Sequence, residues 1–118
     1  MIIKVCGLNH PENLLDICKI GVDMVGFNFY PLSARYLSVP IPEIPKHIAK
    51  VGVFVNASIE TILNKKTLYN LNYVQLHGDE SPEFALSVKS FIRVIKVFRI
   101  DEDFDPETLE IYNFCDYY

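Results

Sequence analysis

Three side chains with useful chemistry stand where short apolar runs end: Cys6, Arg35 and His77. A thiol has an unperturbed pKa of about 8.5, so Cys6 is the side chain most easily poised near neutrality as a general base or nucleophile. The alternative is a small apolar strand residue, the common role of a free cysteine. Arg35 follows the second run, in Tyr30-Pro31-Leu32-Ser33-Ala34-Arg35-Tyr36. Its guanidinium is a fork for a carboxylate or phosphate, or a solvated surface charge. His77 closes Gln75-Leu76-His77 and reads as a base, a ligand contact or a capping side chain. Asp79 and Glu80 are a carboxylate pair, or charges favouring the positive N-terminus of a following helix. His10, His47 and His77 lack metal-ligand spacing, so no metal is expected.

Five runs must hold these groups: Ile2–Cys6, Met24–Tyr30, Val51–Val55, Tyr73–His77 and Val94–Phe98. A sixth begins over Phe114–Tyr118. They are too continuously apolar for one-sided burial, which is the mark of a parallel sheet covered on both faces. The first five start roughly 21 to 27 residues apart, the length of one βα unit. Helix signals fill the gaps. Pro11 opens one helix, Ser58 caps a second, and Ser81-Pro82 caps a third. Asp105-Pro106-Glu107 repeats the device before Leu109. Pro40, Pro42 and Pro45 break the stretch from Val39 to His47. Cys18 and Cys115 read as core.

This pattern leaves an open doubly wound sheet or a (β/α)8 barrel. Gly7 is the sole glycine after the first run, so a GxGxxG phosphate loop cannot be written. Of the 118 residues, half are hydrophobic, which excludes disorder. A net charge of −4 argues against nucleic acid, which calls for a basic surface. No apolar run reaches the length of about 18 residues needed to span a membrane. Three widely spaced cysteines and no visible secretory signal fit the cytoplasm.

Taken in order, the strand ends resemble the phosphoribosylanthranilate isomerase family of tryptophan biosynthesis. The residues that carry the resemblance are Ile3-Lys4-Val5-Cys6-Gly7-Leu8, Val25–Pro31 with Ser33-Ala34-Arg35-Tyr36, Lys50–Asn56, Val74–Glu80 and Val94-Ile95-Lys96. The resemblance implies a TIM (β/α)8 barrel and an Amadori rearrangement without metal or organic cofactor. A general acid protonates the furanose oxygen of a phosphorylated substrate, and a base then removes the C2′ proton. It also implies that Cys6 is the base, that Arg35 engages the anthranilate carboxylate, and that His77 and Gln75 line the site.

Two positions depart from the family pattern: Asn28 replaces an apolar strand residue, and Leu32 stands where lysine is frequent. The family's general acid is an aspartate late in strand six. Asp116 is too early and has the wrong neighbours to be that residue. A whole barrel needs about 250 residues and at least about 200. Residues 1–118 therefore read as one incomplete domain, about five βα units and the start of strand six. On this expectation the 118 residues alone are inactive. The alternatives are a non-catalytic half-barrel that self-associates through its open edges, and another ribose-phosphate barrel enzyme.

Overall fold

Each strand of the structure, a computed structural model describing residues 1–118, is a short β-rich run bounded by a turn. The elements alternate as β1 (Lys4–Cys6), α1 (Pro11–Lys19), β2 (Met24–Asn28), β3 (Ala49–Phe54), α2 (Ile59–Tyr69), β4 (Tyr73–Leu76), α3 (Pro82–Lys89), β5 (Arg93–Lys96) and α4 (Thr108–Ile111). Helix starts follow local chemistry. The Ser58 and Ser81 hydroxyls each accept the backbone N–H three residues on, at 3.1 Å. Pro11 and Pro82 occupy the first turns of α1 and α3, where a missing N–H costs nothing. The proline-rich segment 40–45 forms no helix.

All neighbouring strands are parallel, in the order β1-β2-β3-β4-β5. This order separates the two architectures. A doubly wound sheet reverses direction at a switch point, whereas a barrel lays each strand beside the last. No reversal occurs here, so the fold is the barrel type. Curvature agrees. β1 and β4 are three strand spacings apart, roughly 14 Å in a flat sheet, yet Lys4 on β1 hydrogen-bonds Gln75 on β4.

The helix-covered face holds the main core, which includes Val25, Phe27, Phe54, Ile62, Val74, Leu76 and Val94. The concave face holds a smaller cluster of Met24, Val51 and Tyr73. Period-2 alternation assigns residues to these faces. Some expected strands are longer than those observed. Ile2 and Ile3 lie outside β1 and are exposed. β2 stops at Asn28 because its side-chain Oδ1 accepts the Tyr30 N–H at 2.8 Å and turns the chain. The sixth strand amounts to one parallel bridge, Ile95 to Tyr117.

Candidate functional site

Cys6 is the last residue of β1, exposed, with a free thiol. A glycine opposite makes room for it. Gly26 pairs with Cys6 in register, and a Cβ there would fall 2.5 Å from Cys6 Sγ. Gly7 then turns the chain at φ +77, a conformation glycine adopts freely. Arg35 lies across Gly7, since a Cβ on Gly7 would meet Arg35 Cδ at 2.6 Å. Arg35 is thus beside the residue that follows the thiol. It makes no ion pair within the chain, so its fork is free for an external anion.

The loop that delivers Arg35 is held at several points. The Arg35 N–H donates to Ser33 Oγ at 3.1 Å. The Leu37 N–H donates to the Asn28 carbonyl at 2.9 Å, and Asn28 bridges Tyr36. Lys65 of α2 sits over three rings, 5.0 Å from the centre of Phe29 and 5.5 Å from those of Tyr36 and Tyr69. Such contacts are attractive because a ring face is electronegative. Asn28 therefore serves as the loop's anchor, with its amide oxygen satisfied.

At the end of β4, Gln75 is buried and His77 is exposed. Gln75 Nε2 lies 3.5 Å from His77 Nδ1, and Gln75 Oε1 accepts from Lys4 Nζ. Lys4 and Cys6 are two apart on β1 and so share a face. The structure thus links β1 to Gln75 and His77, and brings Arg35 to Gly7. It records no direct contact between Cys6 and His77.

Beneath His77 lies a buried charge cluster. Glu80 does precede α3, but its carboxylate turns inward rather than acting mainly on the helix terminus. It pairs with Lys96 at 3.1 Å, both side chains being almost wholly buried. It also accepts the N–H groups of Asn56 (2.9 Å) and Gly78 (3.0 Å). Lys96 donates to the carbonyls of Gly78 (2.7 Å) and Val97 (3.2 Å). The Tyr112 hydroxyl donates to the Glu80 carbonyl at 2.9 Å. The cluster ties together the ends of β3, β4 and β5. A hollow of about 270 Å³ opens beside it, with His77, Asp79, Phe98 and Arg99 in its lining. Neither Lys96 nor Lys4 stood out in the sequence, because Lys4 finds its partner on β4 and Lys96 finds its own in the segment before α3.

Asp116 is committed elsewhere. Its carboxylate accepts from Lys89 at 2.5 Å and from the Val94 N–H at 2.8 Å. Burial pushes its pKa up, but these hydrogen bonds outweigh that and hold it below the usual carboxylate range. Burial raises the thiols of Cys18 and Cys115. No group of three or more His, Cys, Asp or Glu side chains is arranged to hold a metal. No helix is long and apolar enough to cross a membrane.

Residues 3–117 match the sequence family described as N-(5′-phosphoribosyl)anthranilate (PRA) isomerase. An N-(5′-phosphoribosyl)anthranilate isomerase of Phocaeicola vulgatus is 44% identical over 120 residues, covering all of this chain and 58% of that protein. The corresponding protein of Thermotoga neapolitana is 42% identical over 111 residues, 87% of this chain and 53% of its own length. Among solved structures, phosphoribosyl anthranilate isomerase from Thermotoga maritima superposes with a TM-score of 0.90 at 36% identity, over 99% of this chain and 60% of that one. A phosphoribosyl anthranilate isomerase in complex with reduced 1-(o-carboxyphenylamino)-1-deoxyribulose 5-phosphate gives 0.88 at 36% identity, over 100% of this chain and 66% of that one. The chain spans between about half and two thirds of these relatives.

Proposed function

The chain belongs to the N-(5′-phosphoribosyl)anthranilate isomerase family, and from that premise we propose that its strand ends form the base and carboxylate-recognition side of the isomerase site. In this reading Cys6, as thiolate, removes the C2′ proton after ring opening. Arg35 grips the anthranilate carboxylate, and His77 with Gln75 lines the site at the end of β4. The substrate is a small phosphorylated molecule, the setting is the cytoplasm, and the domain is one incomplete barrel over residues 1–118. The observation that carries the reading is Arg35, an unpaired guanidinium laid across Gly7, the residue that follows the exposed Cys6.

The reaction needs an acid as well as a base, held apart with separated pKa values. Asp116 cannot serve while Lys89 and Val94 occupy its carboxylate. We therefore propose that these 118 residues alone bind the anthranilate end weakly and do not turn over. The assay follows loss of substrate fluorescence with purified chain. Turnover above background that disappears in Cys6→Ala overturns the inactivity. Titration with the reduced product analogue tests the grip: binding indifferent to Arg35→Leu overturns its role.

One observation favours a second reading, association through open edges. Ile2, Ile3, Tyr117 and Tyr118 are exposed at the two ends of the sheet. Sizing against concentration tests it, and a concentration-independent monomer excludes it.

A further inference from the structure

We propose that Lys4 is a positioning residue that sets the tautomer of His77, so that the neutral ring offers an Nε2–H donor to an oxyanion in the site. A lysine ammonium carries donors and no acceptor. Its partner on Gln75 is therefore the carbonyl end, Oε1. A primary amide has one accepting and one donating end, so the end left facing His77 is Nε2. That group lies 3.5 Å from His77 Nδ1 and only donates. Nδ1 must then accept, which leaves it without a proton. In a neutral imidazole the proton resides on the other nitrogen. Nε2 has no partner within the chain, and His77 is exposed at the mouth of the sheet. The relay thus begins two residues before Cys6 and ends in a free donor at the end of β4.

The identity of the oxyanion, a phosphorylated or carboxylate-bearing sugar derivative, rests on the proposed isomerase site. The tautomer itself does not, and can be measured without activity. Long-range ¹H–¹⁵N spectra of the ¹⁵N-labelled chain distinguish the bare nitrogen from the protonated one, well above the ordinary histidine titration range. His77→Asn separates its signals from those of His10 and His47.

The wild-type ring is expected to show bare Nδ1 and protonated Nε2. Free histidine leans the same way, so Gln75→Glu carries more weight. A carboxylate keeps Lys4 as partner but offers Nδ1 an acceptor, so Nδ1 is expected to gain a proton. Lys4→Met lets the Gln75 amide turn. The tautomer ratio should fall roughly fivefold, about what one hydrogen bond sustains, and Lys4→Arg should restore it. A protonated wild-type Nδ1 overturns the proposal, and so does a Gln75→Glu ring whose Nδ1 stays bare. An unchanged ratio in folded Lys4→Met does the same. If Lys4→Met fails to fold, Gln75→Glu decides. The functional reading has its own readout. If the tautomers behave as stated but the reduced product analogue leaves the His77 signals unmoved, the isomerase site fails and the relay stands.

Discussion

Lys96 and Lys4 both hydrogen-bond across strands of one sheet, yet they sit on opposite faces. Lys96, on the helix-covered face, is almost wholly buried against Glu80 and three backbone carbonyls. The core on that side includes Phe54, Leu76, Val88 and Val94, all fully buried, and Lys96 Nζ itself lies 5.5 Å from the ring centre of Phe98. Lys4 is half-buried on the concave face and meets one amide. The first face is closed, so every polar group on it must find a partner inside the protein. The second is open at the strand ends, where Cys6, Arg35 and His77 remain exposed. The buried ion pair lies on one side, and the residues proposed for chemistry lie on the other. Equivalent substitutions on the two faces should therefore differ in kind.

The largest expected difference is between the two lysines. Lys96→Met leaves Glu80 buried without its countercharge, and such losses run at about 3–5 kcal/mol. Against a total stability on the order of 5–15 kcal/mol for a domain, that amounts to near-unfolding. Glu80→Gln added to Lys96→Met removes the stranded charge but keeps an acceptor for the Asn56 and Gly78 N–H groups. The double variant should recover part of the loss. Lys4→Met should cost about 1 kcal/mol or less. Urea unfolding of the three variants gives the comparison, and equal costs for the two lysines erase the division between faces.

A glycine pair sharpens it. A Cβ on Gly52 would lie 2.5 Å from Leu71 Cδ1 and 2.8 Å from Phe54 Cε2, inside the packed core. A Cβ on Gly26 meets Cys6 Sγ, which has open space to rotate into. Overpacking costs about 1–3 kcal/mol. Gly52→Ala should fall at the upper end and Gly26→Ala at the lower. Only Gly26→Ala should change the rate at which a thiol reagent reaches Cys6. The reverse order of stabilities tells against an open concave face.

The two faces also differ in how legible they are from the sequence. The closed face is written locally. Valine and aromatic runs mark its strands, and the Ser58 and Ser81 caps act over three residues. Cys6 and Arg35 could be singled out because one ends a strand and the other follows one, where barrels place ligands. The contacts made by Lys4 and Lys96 could not. Lys4 meets a residue 71 positions away and Lys96 one 16 away, through tertiary placement that no local signal encodes. Glu80 shows the same limit. Its place before a helix suggests an effect on the helix terminus, while its carboxylate is fixed by β3, β4 and β5. Strand six was legible only as a beginning, since a single bridge forms at Tyr117.

Asp116 tests the border between the faces at smaller scale. Its carboxyl is held below the usual range by Lys89 and the Val94 N–H, against a raising effect of burial. A depressed folded-state pKa contributes stability that is complete above the unfolded value of about 3.9. That contribution is lost as pH falls through the lower, folded value. Asp116→Asn should cost about 1 kcal/mol at neutral pH. The difference from wild type should vanish in strong acid. A gap that persists unchanged below pH ~2 means the carboxylate's charge is not what matters.

Cys6→Ser should have the smallest effect on stability and the largest on reactivity. The thiol is exposed and fills no core space, so its replacement belongs with surface changes of about 0.5 kcal/mol or less. Cys18 and Cys115 are raised by burial, and Cys115 is shielded as well, so alkylation should strike Cys6 first. In the wild-type chain one thiol should react fast and two slowly. In Cys6→Ser only the slow pair should remain, with an unfolding curve that overlays the wild type. A large loss of stability in Cys6→Ser would place the thiol in the core and remove the chemical role assigned to it. Retention of the fast phase would mean that another cysteine is the accessible one. The expected result is a residue the fold does not need, at a position where Gly26 provides space and Gly7 lets Arg35 lie alongside.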